Sequence, residues 1–289
     1  MSANDCTLEE IITITLARRF RDGEVGFTGL ATGGAAALYI TGIPLAAMEF
    51  ARHTHAPNLT ILLAGWCINP DFSALRALPT AEFDTRLQDL PCEAQMQSYP
   101  GHYAVRRGDV DFGFGSGVQV DRQGNINSTC IGDYRRPDVR LVGSILLPEH
   151  MTCFGREYLM MPHHQARSLV GQVDYVSGVG YPGGRDGRRA LGLNHGGPEW
   201  IVTPKCIFAF DDVSGHARVV SIHPGIDPDD VRRSTGFPVS VADAPVTPRP
   251  TREELAILRR RVDPHHVLIP HGRGSGSPTP YCATTRGTP

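Results

Sequence analysis

An α/β fold is predicted for this chain from three features of its sequence. Segments with apolar residues at helical spacing alternate with short apolar runs of strand length along most of the 289 residues. Hydrophobic residues make up 40% of the chain and charged residues 20%, which is enough apolar surface for one large α/β domain or two small ones. No internal repeat divides the chain. We therefore expect a single α/β domain.

The first half of the chain opens on a capped helix and leads into two strands. Thr7 and Glu10 fit a capping box, and apolar residues follow them at helical spacing. A strand over residues 24–28 enters a glycine-rich stretch. Pro44 marks the expected start of a second helix, because proline tolerates the first helical position. That helix leads to a buried strand over residues 59–63.

Further strands and capped helices are predicted in the second half. The strand signals cover residues 110–114, 156–161, 173–176, 201–210, 217–222 and 237–241. Asp227 and Thr251 cap two more helices. The glycine- and arginine-rich residues 180–198 are expected to form a surface loop. Residues 7–268 then make up the domain, and residues 269–289 have too little apolar content to fold, so we expect a disordered tail.

Charge, lysine and cysteine content exclude several classes of function. The net charge of −2 provides no basic field for nucleic acid and no polybasic patch for a membrane. Lys205 is the only lysine, which almost removes Schiff-base chemistry. The seven cysteines form no CxxC pair, and the adjacent His163 and His164 would point to opposite faces of a strand, so no metal site is predicted. No apolar run of transmembrane length and no signal-peptide pattern is found, so we expect a cytoplasmic protein with free thiols.

The segment over residues 111–137, DFGFGSGVQVDRQGNINSTCIGDYRRP, is the most informative part of the sequence. A strand passes through Gly115 and Gly117 into a second apolar run, and a tight turn follows at residues 121–124. The polar-turn residues are Gln119, Asp121, Gly124, Asn125 and Asn127. From the residues alone two interpretations remain open: a turn whose side chains satisfy their own backbone, or a binding site.

The string VQVDRQGNINST, followed by IGDYRRP, resembles the β-type chain of glutaconate CoA-transferase and its relatives among the family I CoA-transferases, and HPGIDPDDVRRSTGF is a second marker of the same family. The resemblance implies the open α/β fold of the NagB/RpiA/CoA-transferase-like type. It also implies an acyl-CoA substrate, with coenzyme A as part of the substrate and no permanently bound cofactor. The active site would lie between this chain, as the B-type (β) subunit, and an A-type (α) subunit, in a heterodimer or heterotetramer.

The resemblance also assigns candidate site residues. Those expected to bind substrate or CoA are Gly115, Gly117, Gln119, Asp121, Gly124, Gly143 and Ser144. Asn125 and Asn127 are catalytic candidates, because side-chain amides there would donate hydrogen bonds to the thioester oxygen.

The sequence departs from the resemblance at the residue that the family uses as a nucleophile. In the family a glutamate at the end of the strand over residues 60–63 attacks the thioester and carries CoA as a glutamyl thioester. Here Ala64 occupies that position, and alanine has no nucleophile. Cys67 is an alternative nucleophile if the pKa of its thiol is lowered, and otherwise a small buried hydrophobic residue.

Two other segments depart from the family pattern. Residues 30–39 look inserted. After Gly143 and Ser144, bulky residues and a proline replace the family's run of small residues, and we expect that they cannot reproduce the dihedral angles of a glycine loop. Glu149 and His150 in this region form either an acid–base pair or part of an exposed loop.

These departures leave three hypotheses for the reaction. The missing glutamate favours hydrolysis, C–C cleavage or decarboxylation of an acyl-CoA. CoA transfer to a carboxylic acid remains possible if the A-type subunit supplies the nucleophile. A non-catalytic B-type subunit that supports a catalytic partner is the third hypothesis, although a scaffold would not need the polar turn.

Overall fold

The computed structural model describes residues 6–31, 33–79, 81, 84–96, 108–193 and 195–271. Within these ranges the main sheet has nine strands in the order β14-β13-β12-β10-β5-β1-β2-β3-β4. The five central strands, from β12 to β2, run parallel. Two further strands on each side of them pair antiparallel with their neighbours. The predicted α/β fold class is confirmed.

The elements alternate along the chain as the sequence predicted. The strands of the main sheet are β1 (Val25–Thr28), β2 (Thr60–Leu63), β3 (Cys67–Pro70), β4 (Cys92–Gln95), β5 (Phe112–Gly115), β10 (Arg156–Met160), β12 (Pro198–Val202), β13 (Cys206–Phe210) and β14 (Ala217–Ile222). Short strands outside it are β6 (Gln119–Asp121), β7 (Ile126–Asn127), β8 (Cys130–Ile131), β9 (Val139–Arg140) and β11 (Leu169–Val170). The helices are α1 (Leu8–Ala17), α2 (Gly34–Arg52), α3 (Thr85–Gln88), α4 (Leu147–Cys153), α5 (Gly184–Ala190), α6 (Pro228–Ser234) and α7 (Arg252–Ile257).

The two faces of the sheet carry different covers, because side chains alternate along each strand. On one face α1 and α2 pack over Phe112, Phe114 and Tyr158 in the larger hydrophobic core. On the other face α4 lies over the glycines of β5 and over Glu157 of β10. Both faces of the central strands are therefore covered, as parallel sheets require.

The second helix differs from its prediction. It begins at Gly34 instead of Pro44 and includes a π-helical turn at Leu38–Gly42, so the apparent insertion at residues 30–39 supplies its first turns. Pro44 lacks the N–H that would bond to the Ile40 carbonyl, and the Thr28 hydroxyl donates to that carbonyl instead (2.6 Å). A tertiary hydrogen bond thus allows the helix to continue through a proline.

The helix α2 is also long and apolar enough, by length and composition, to cross a membrane, which was not expected from the sequence. Its most apolar window is 67% buried inside the fold, and the helix packs against α1 and the central sheet. Its burial is that of a core helix.

Several predicted elements form otherwise than expected. Residues 173–176 are not a strand, because Asp174 bonds through its backbone N–H and its carboxylate to the amide of Gln119 instead of joining a ladder. Residues 237–241 pack against the core without a strand partner. Residues 201–210 divide into β12 and β13 at a turn where the Thr203 hydroxyl accepts from the N–H of Cys206.

Local signals at the two ends of the domain predicted its structure well. The capping boxes of α1 and α7 are present, at Thr7 and Thr251. The packed chain extends at least to residue 271, since the buried Ile269 donates its N–H to Asp263 and the Thr7 hydroxyl donates to Pro270. The rest of the predicted tail, residues 272–289, lies outside the described residues.

Candidate active site

The sheet topology indicates a candidate site at the edge of the sheet that is formed by the carboxyl ends of its parallel strands. The chain passes from β1 to β2 on one side and later places β5 on the other side of β1, so the strand order reverses between β1 and β5. In open α/β sheets, ligands bind outside the carboxyl ends of the strands at such a switch point. At this edge β2 runs into Ala64 and β5 runs into Ser116.

Ala64 lies in a strained turn at this edge. Its φ is 54° and that of Gly65 is 77°, and the Trp66 N–H donates to the Leu63 carbonyl (3.2 Å), which closes a tight turn between β2 and β3. A left-handed conformation costs a non-glycine residue about 1–2 kcal/mol. The Ala64 N–H donates to Thr28 on β1 (2.9 Å), which holds the turn at the switch point. The position therefore keeps a special backbone although its side chain is inert.

The surroundings of Cys67 favour the hydrophobic interpretation over the nucleophilic one. The residue is the first of β3 and is fully buried. Burial and the neighbouring thiol of Cys92 raise the pKa of Cys67 to about 12. At neutral pH the reactive thiolate would be on the order of one molecule in 10⁵, too rare for an efficient nucleophile.

The carboxylate of Asp121 organises the tight turn at residues 121–124. It accepts hydrogen bonds from the N–H of Gln123 (2.9 Å), the N–H of Asn125 (3.0 Å) and the side-chain amide of Asn125 (2.9 Å). Burial raises the pKa of Asp121, although these hydrogen bonds oppose the shift. The carbonyl of the Asn125 side chain accepts from the Gly180 N–H (2.9 Å). Asp121 and Asn125 thus bind backbone and each other.

Asn127 is saturated by internal hydrogen bonds. Its side-chain NH₂ donates to Oε1 of Gln119 (2.8 Å) and to the carbonyl of Cys130 (2.7 Å). Its side-chain oxygen accepts from the N–H groups of Thr129 (2.9 Å) and Cys130 (3.3 Å). The residue is fully buried. Since an amide has two donor hydrogens, none remains for a thioester, and the contacts favour a structural role for the turn.

The loop over residues 143–146 has a backbone that its sequence did not predict. Gly143 has a φ of 100° and Ile145 a φ of 52°, and the Ile145 side chain is 72% exposed. The expectation that bulky residues cannot adopt glycine-like dihedral angles is wrong at Ile145. The Gly143 N–H donates to Ser128, and the Ser144 hydroxyl lies 3.1 Å from that of Thr129. The loop is therefore tied to the polar turn.

The predicted glycines are explained by close packing. A Cβ on Gly115 would lie 2.7 Å from the Glu157 carboxylate, and one on Gly117 would lie 2.4 Å from the Asn127 carbonyl. Gly124 has a φ of 75°, which the tight turn requires. The structure thus joins the polar turn, its glycines and Ser144 into one unit. Among the described residues, no hydrogen bond links that unit to the hairpin of residues 64–67.

Sequence reasoning missed one pair of residues at this site. His150 lies on α4, not in an exposed loop, and its Nδ1 is 3.1 Å from Oε1 of the buried Glu157. Glu149, its proposed partner, does not bind it. The alternation of phenylalanine and glycine in Phe112–Gly115 was the available signal, because glycines on one face of a strand leave room for a neighbour's side chain.

The glycine- and arginine-rich segment also contains a helix, α5, instead of a surface loop throughout. Arg188 on this helix is buried and donates to the carbonyls of Val179, Gly180, Met151 and His195. In the part of the chain that the structure describes, no group of three or more His, Cys, Asp or Glu side chains is arranged to hold a metal ion.

An open, largely parallel sheet is the architecture that the resemblance to CoA-transferases implied. No family model matches the chain. The B-type subunit of the 3-oxoadipate CoA-transferase from Pseudomonas knackmussii is 32% identical over 251 residues, which cover 86% of this chain and 91% of the relative. The B-type subunit of the glutaconate CoA-transferase from Acidaminococcus fermentans is 26% identical over 265 residues (91% and 95%). The cholesterol ring-cleaving hydrolase IpdB subunit from Rhodococcus jostii is 30% identical over 226 residues (78% and 83%).

Solved structures agree. Glutaconate CoA-transferase from A. fermentans superposes with a TM-score of 0.74 at 27% identity, covering 91% of this chain and 97% of that chain. Rhodococcus jostii IpdAB gives 0.72 at 27% identity (91% and 96%), and the decarboxylase AibA/AibB shares the fold, with a TM-score of 0.71 at 24% identity (91% and 98%). The chain belongs to the CoA-transferase family, as a B-type subunit.

Proposed function

We propose that this chain is one half of a two-subunit enzyme, paired with an A-type (α) subunit, that acts on an acyl-CoA thioester without carrying a covalent CoA intermediate. Hydrolysis, C–C cleavage or decarboxylation are the reactions of this kind, and the hydrolase among the relatives supports the first two. The observation that carries the proposal is Ala64, which keeps the strained turn at the carboxyl end of β2 but has no nucleophile.

In the hydrolytic form of the proposal, this chain orients the thioester and a water molecule attacks it. The oxygen of water bonds to the acyl carbon, the C–S bond breaks, and CoA leaves as its thiol. Within the described residues the Gly65 N–H donates to no backbone acceptor, so it is available to the carbonyl oxygen as negative charge develops. In the hairpin of residues 64–67 only Cys67 is titratable, and it is buried. We therefore propose that the A-type partner supplies the proton acceptor.

Exposed apolar side chains around this edge support a partner that covers it. Val142 is 81% exposed, Ile145 72%, Val176 50% and Val118 39%. Monomeric proteins rarely leave such groups together in water. We expect the isolated chain to be oligomeric or poorly soluble and to become stable on co-expression with the A-type subunit. The cytoplasmic location and the absence of a permanent cofactor remain predictions.

CoA transfer between an acyl-CoA and a carboxylic acid is the second candidate. Two relatives that cover about nine-tenths of this chain carry that activity in their names, which favours it. A transferase mechanism would need its nucleophile from the A-type subunit.

The test is a co-expressed complex with the A-type protein encoded beside this chain, incubated with a panel of acyl-CoAs and followed by mass spectrometry. We expect free CoA without an added carboxylic acid if the thioester is hydrolysed, or an acyl-CoA of changed mass if the acyl group is cleaved or decarboxylated, and in each case no hydroxylamine- or borohydride-trapped adduct on this subunit. Ala64→Glu should restore a trappable glutamyl adduct at residue 64, whereas the matched control Ala64→Gln should not, because an amide is not a nucleophile. Formation of a new acyl-CoA from an added carboxylate would establish transfer, and a complex that binds no acyl-CoA would refute both candidates.

A further inference from the structure

A buried histidine–glutamate pair lies beneath the candidate site. The Glu157 side chain on β10 is fully buried, and its Oε1 is 3.1 Å from Nδ1 of His150 on α4, whose side chain is 7% exposed. A Cβ on Gly113 or Gly115 would lie 2.5 Å or 2.7 Å from the Glu157 oxygens. The strand β5 therefore lacks side chains on this face where the carboxylate enters.

The pair is not an efficient way to fill a core. Oε2 of Glu157 and Nε2 of His150 are both buried and have no hydrogen-bond partner within the described residues. Burial raises the pKa of Glu157, and the nearby His150 only partly opposes the shift. Apolar side chains of similar volume usually stabilise a core at least as well as such a pair. A role beyond packing is needed to explain it.

The pair lies close to both strained loops. The helix α4 begins at Leu147, directly after the loop over residues 143–146, and Leu147 packs over Gly115 at the end of β5. On the other side, the ring of Phe27 lies edge-to-face on His150, with centroids 4.7 Å apart. A Cβ on Gly65 would lie 3.7 Å from that same ring. His150 is thus one side chain away from the Ala64 turn.

The helix α4 depends on tertiary contacts for its orientation. It has seven residues, and its first residue is preceded by Leu146, which provides no side-chain cap. Helices this short are not stable alone. Near its end, the buried Arg188 donates to the carbonyl of Met151. In its middle, the bond from His150 to Glu157 is the contact that ties α4 to the sheet through a polar group.

We propose that His150 is a positioning residue for the acyl-CoA site: its Nδ1 contact with Glu157 anchors α4 and thereby fixes the strained loop at residues 143–146 against the thioester. The inference rests on the proposed function for what the loop contacts, and on the geometry alone for the anchoring. His150 and Glu157 are both buried, so the proposal concerns placement and not proton transfer.

Two substitutions of His150 distinguish the role of Nδ1 from that of Nε2. His150→Asn places an amide where Nδ1 stands, which keeps a donor for Glu157, and lacks a group at Nε2. His150→Gln reaches the Nε2 position and leaves Glu157 unpaired. If anchoring is the role, Gln should lower kcat of the co-expressed complex about tenfold or more with KM changed less than about threefold, since small misplacements of a site reduce rate more than binding. Asn should stay within about threefold of the wild type in both constants.

Hydrogen exchange provides a measurement that does not depend on activity. The N–H groups of Gly143 and Leu147 are held by the carbonyls of Ser128 and Ser144. We expect exchange in a peptide covering residues 141–147 to accelerate about tenfold in His150→Gln and to remain unchanged in His150→Asn, because only the first frees α4.

The results of these two experiments test the anchoring role of His150 independently of the proposed function of the enzyme. Equal exchange in the wild type and both variants would overturn the anchoring, and so would equal losses of kcat in the two variants. Loss of activity in Asn with retention in Gln would overturn it in favour of a role for Nε2. A wild-type complex inactive on every acyl-CoA would refute the proposed function, and the exchange measurement would still decide whether His150 holds the loop.

Discussion

Substitution of Asn127 by alanine should cost stability and leave the chemistry intact. Asn127 makes four hydrogen bonds, two as donor and two as acceptor, and it is fully buried. Its removal leaves two backbone N–H groups and two carbonyl oxygens without these partners. At about 1 kcal/mol for each net bond, the loss is about 4 kcal/mol. For a large domain this corresponds to a melting temperature lower by roughly 8–16 °C, at about 2–4 °C for each kcal/mol.

The measurement is thermal unfolding of the co-expressed complex together with turnover normalised to the folded fraction. Asn58→Ala is the matched control: Asn58 is exposed and its side chain makes one hydrogen bond, to Asp22 (2.9 Å), so about 0.5–1 kcal/mol should be lost. The opposite result, a melting temperature within about 1 °C of the wild type with turnover a hundredfold lower, would mean that the amide serves the thioester, since losing one such donor costs ~2.7–4 kcal/mol of activation free energy.

Three further predictions concern strain, thiol reactivity and pH. Ile145→Gly should raise the free energy of unfolding by about 1 kcal/mol, because it relieves a left-handed φ of 52° at an exposed side chain. The control Val142→Gly, at an exposed position without positive φ, should lower it. Equal shifts of the two variants in urea unfolding would show that residue 145 is not strained. Cys67 should resist iodoacetamide at pH 8 until the protein unfolds, as its pKa of about 12 requires, and rapid native labelling followed by mass spectrometry would show otherwise. Burial lowers the pKa of His164 and of His223 to about 4, so their contribution to stability is present above pH 6.5 and lost as the pH falls towards 4. The free energy of unfolding should therefore fall by up to about 2.7 kcal/mol for each pH unit near pH 5. A free energy of unfolding that stays constant between pH 6.5 and 4.5 would contradict this prediction.

Local signals predicted local structure well. The capping boxes at Thr7 and Thr251 formed as expected, because both partners of each box lie within three residues. The start of α2 was misplaced because proline usually marks a helix start, and the contact that allows the helix to continue comes from Thr28 on another element. A hydrogen bond between distant residues has no signature in a local pattern.

The same difference between local patterns and contacts of distant residues explains which features of the candidate site the sequence predicted. Asn125 was identified as part of a long irregular string, yet the direction of its side-chain amide depends on a partner, Gly180, that lies 55 residues away. The pair of His150 and Glu157 was missed for the reason that α2 was misplaced. Gly115 in a strand indicates that a neighbouring side chain occupies the space beside it, but only the paired strand β10 shows that this side chain is Glu157.

Ala64 and Ile145 share an unusual backbone conformation at this edge of the sheet. Both are non-glycine residues with left-handed backbone, in two different loops beside the switch point between β1 and β5. Each would be more stable as glycine, and neither side chain forms a bond that offsets the strain. The two loops therefore have a strained backbone shape, and this shape sets the direction of N–H groups such as that of Gly65. We propose that the Gly65 N–H is the oxyanion donor; such a donor beside a residue 64 that has no nucleophile suits attack by water or bond cleavage within the acyl group better than a covalent exchange of CoA on this subunit.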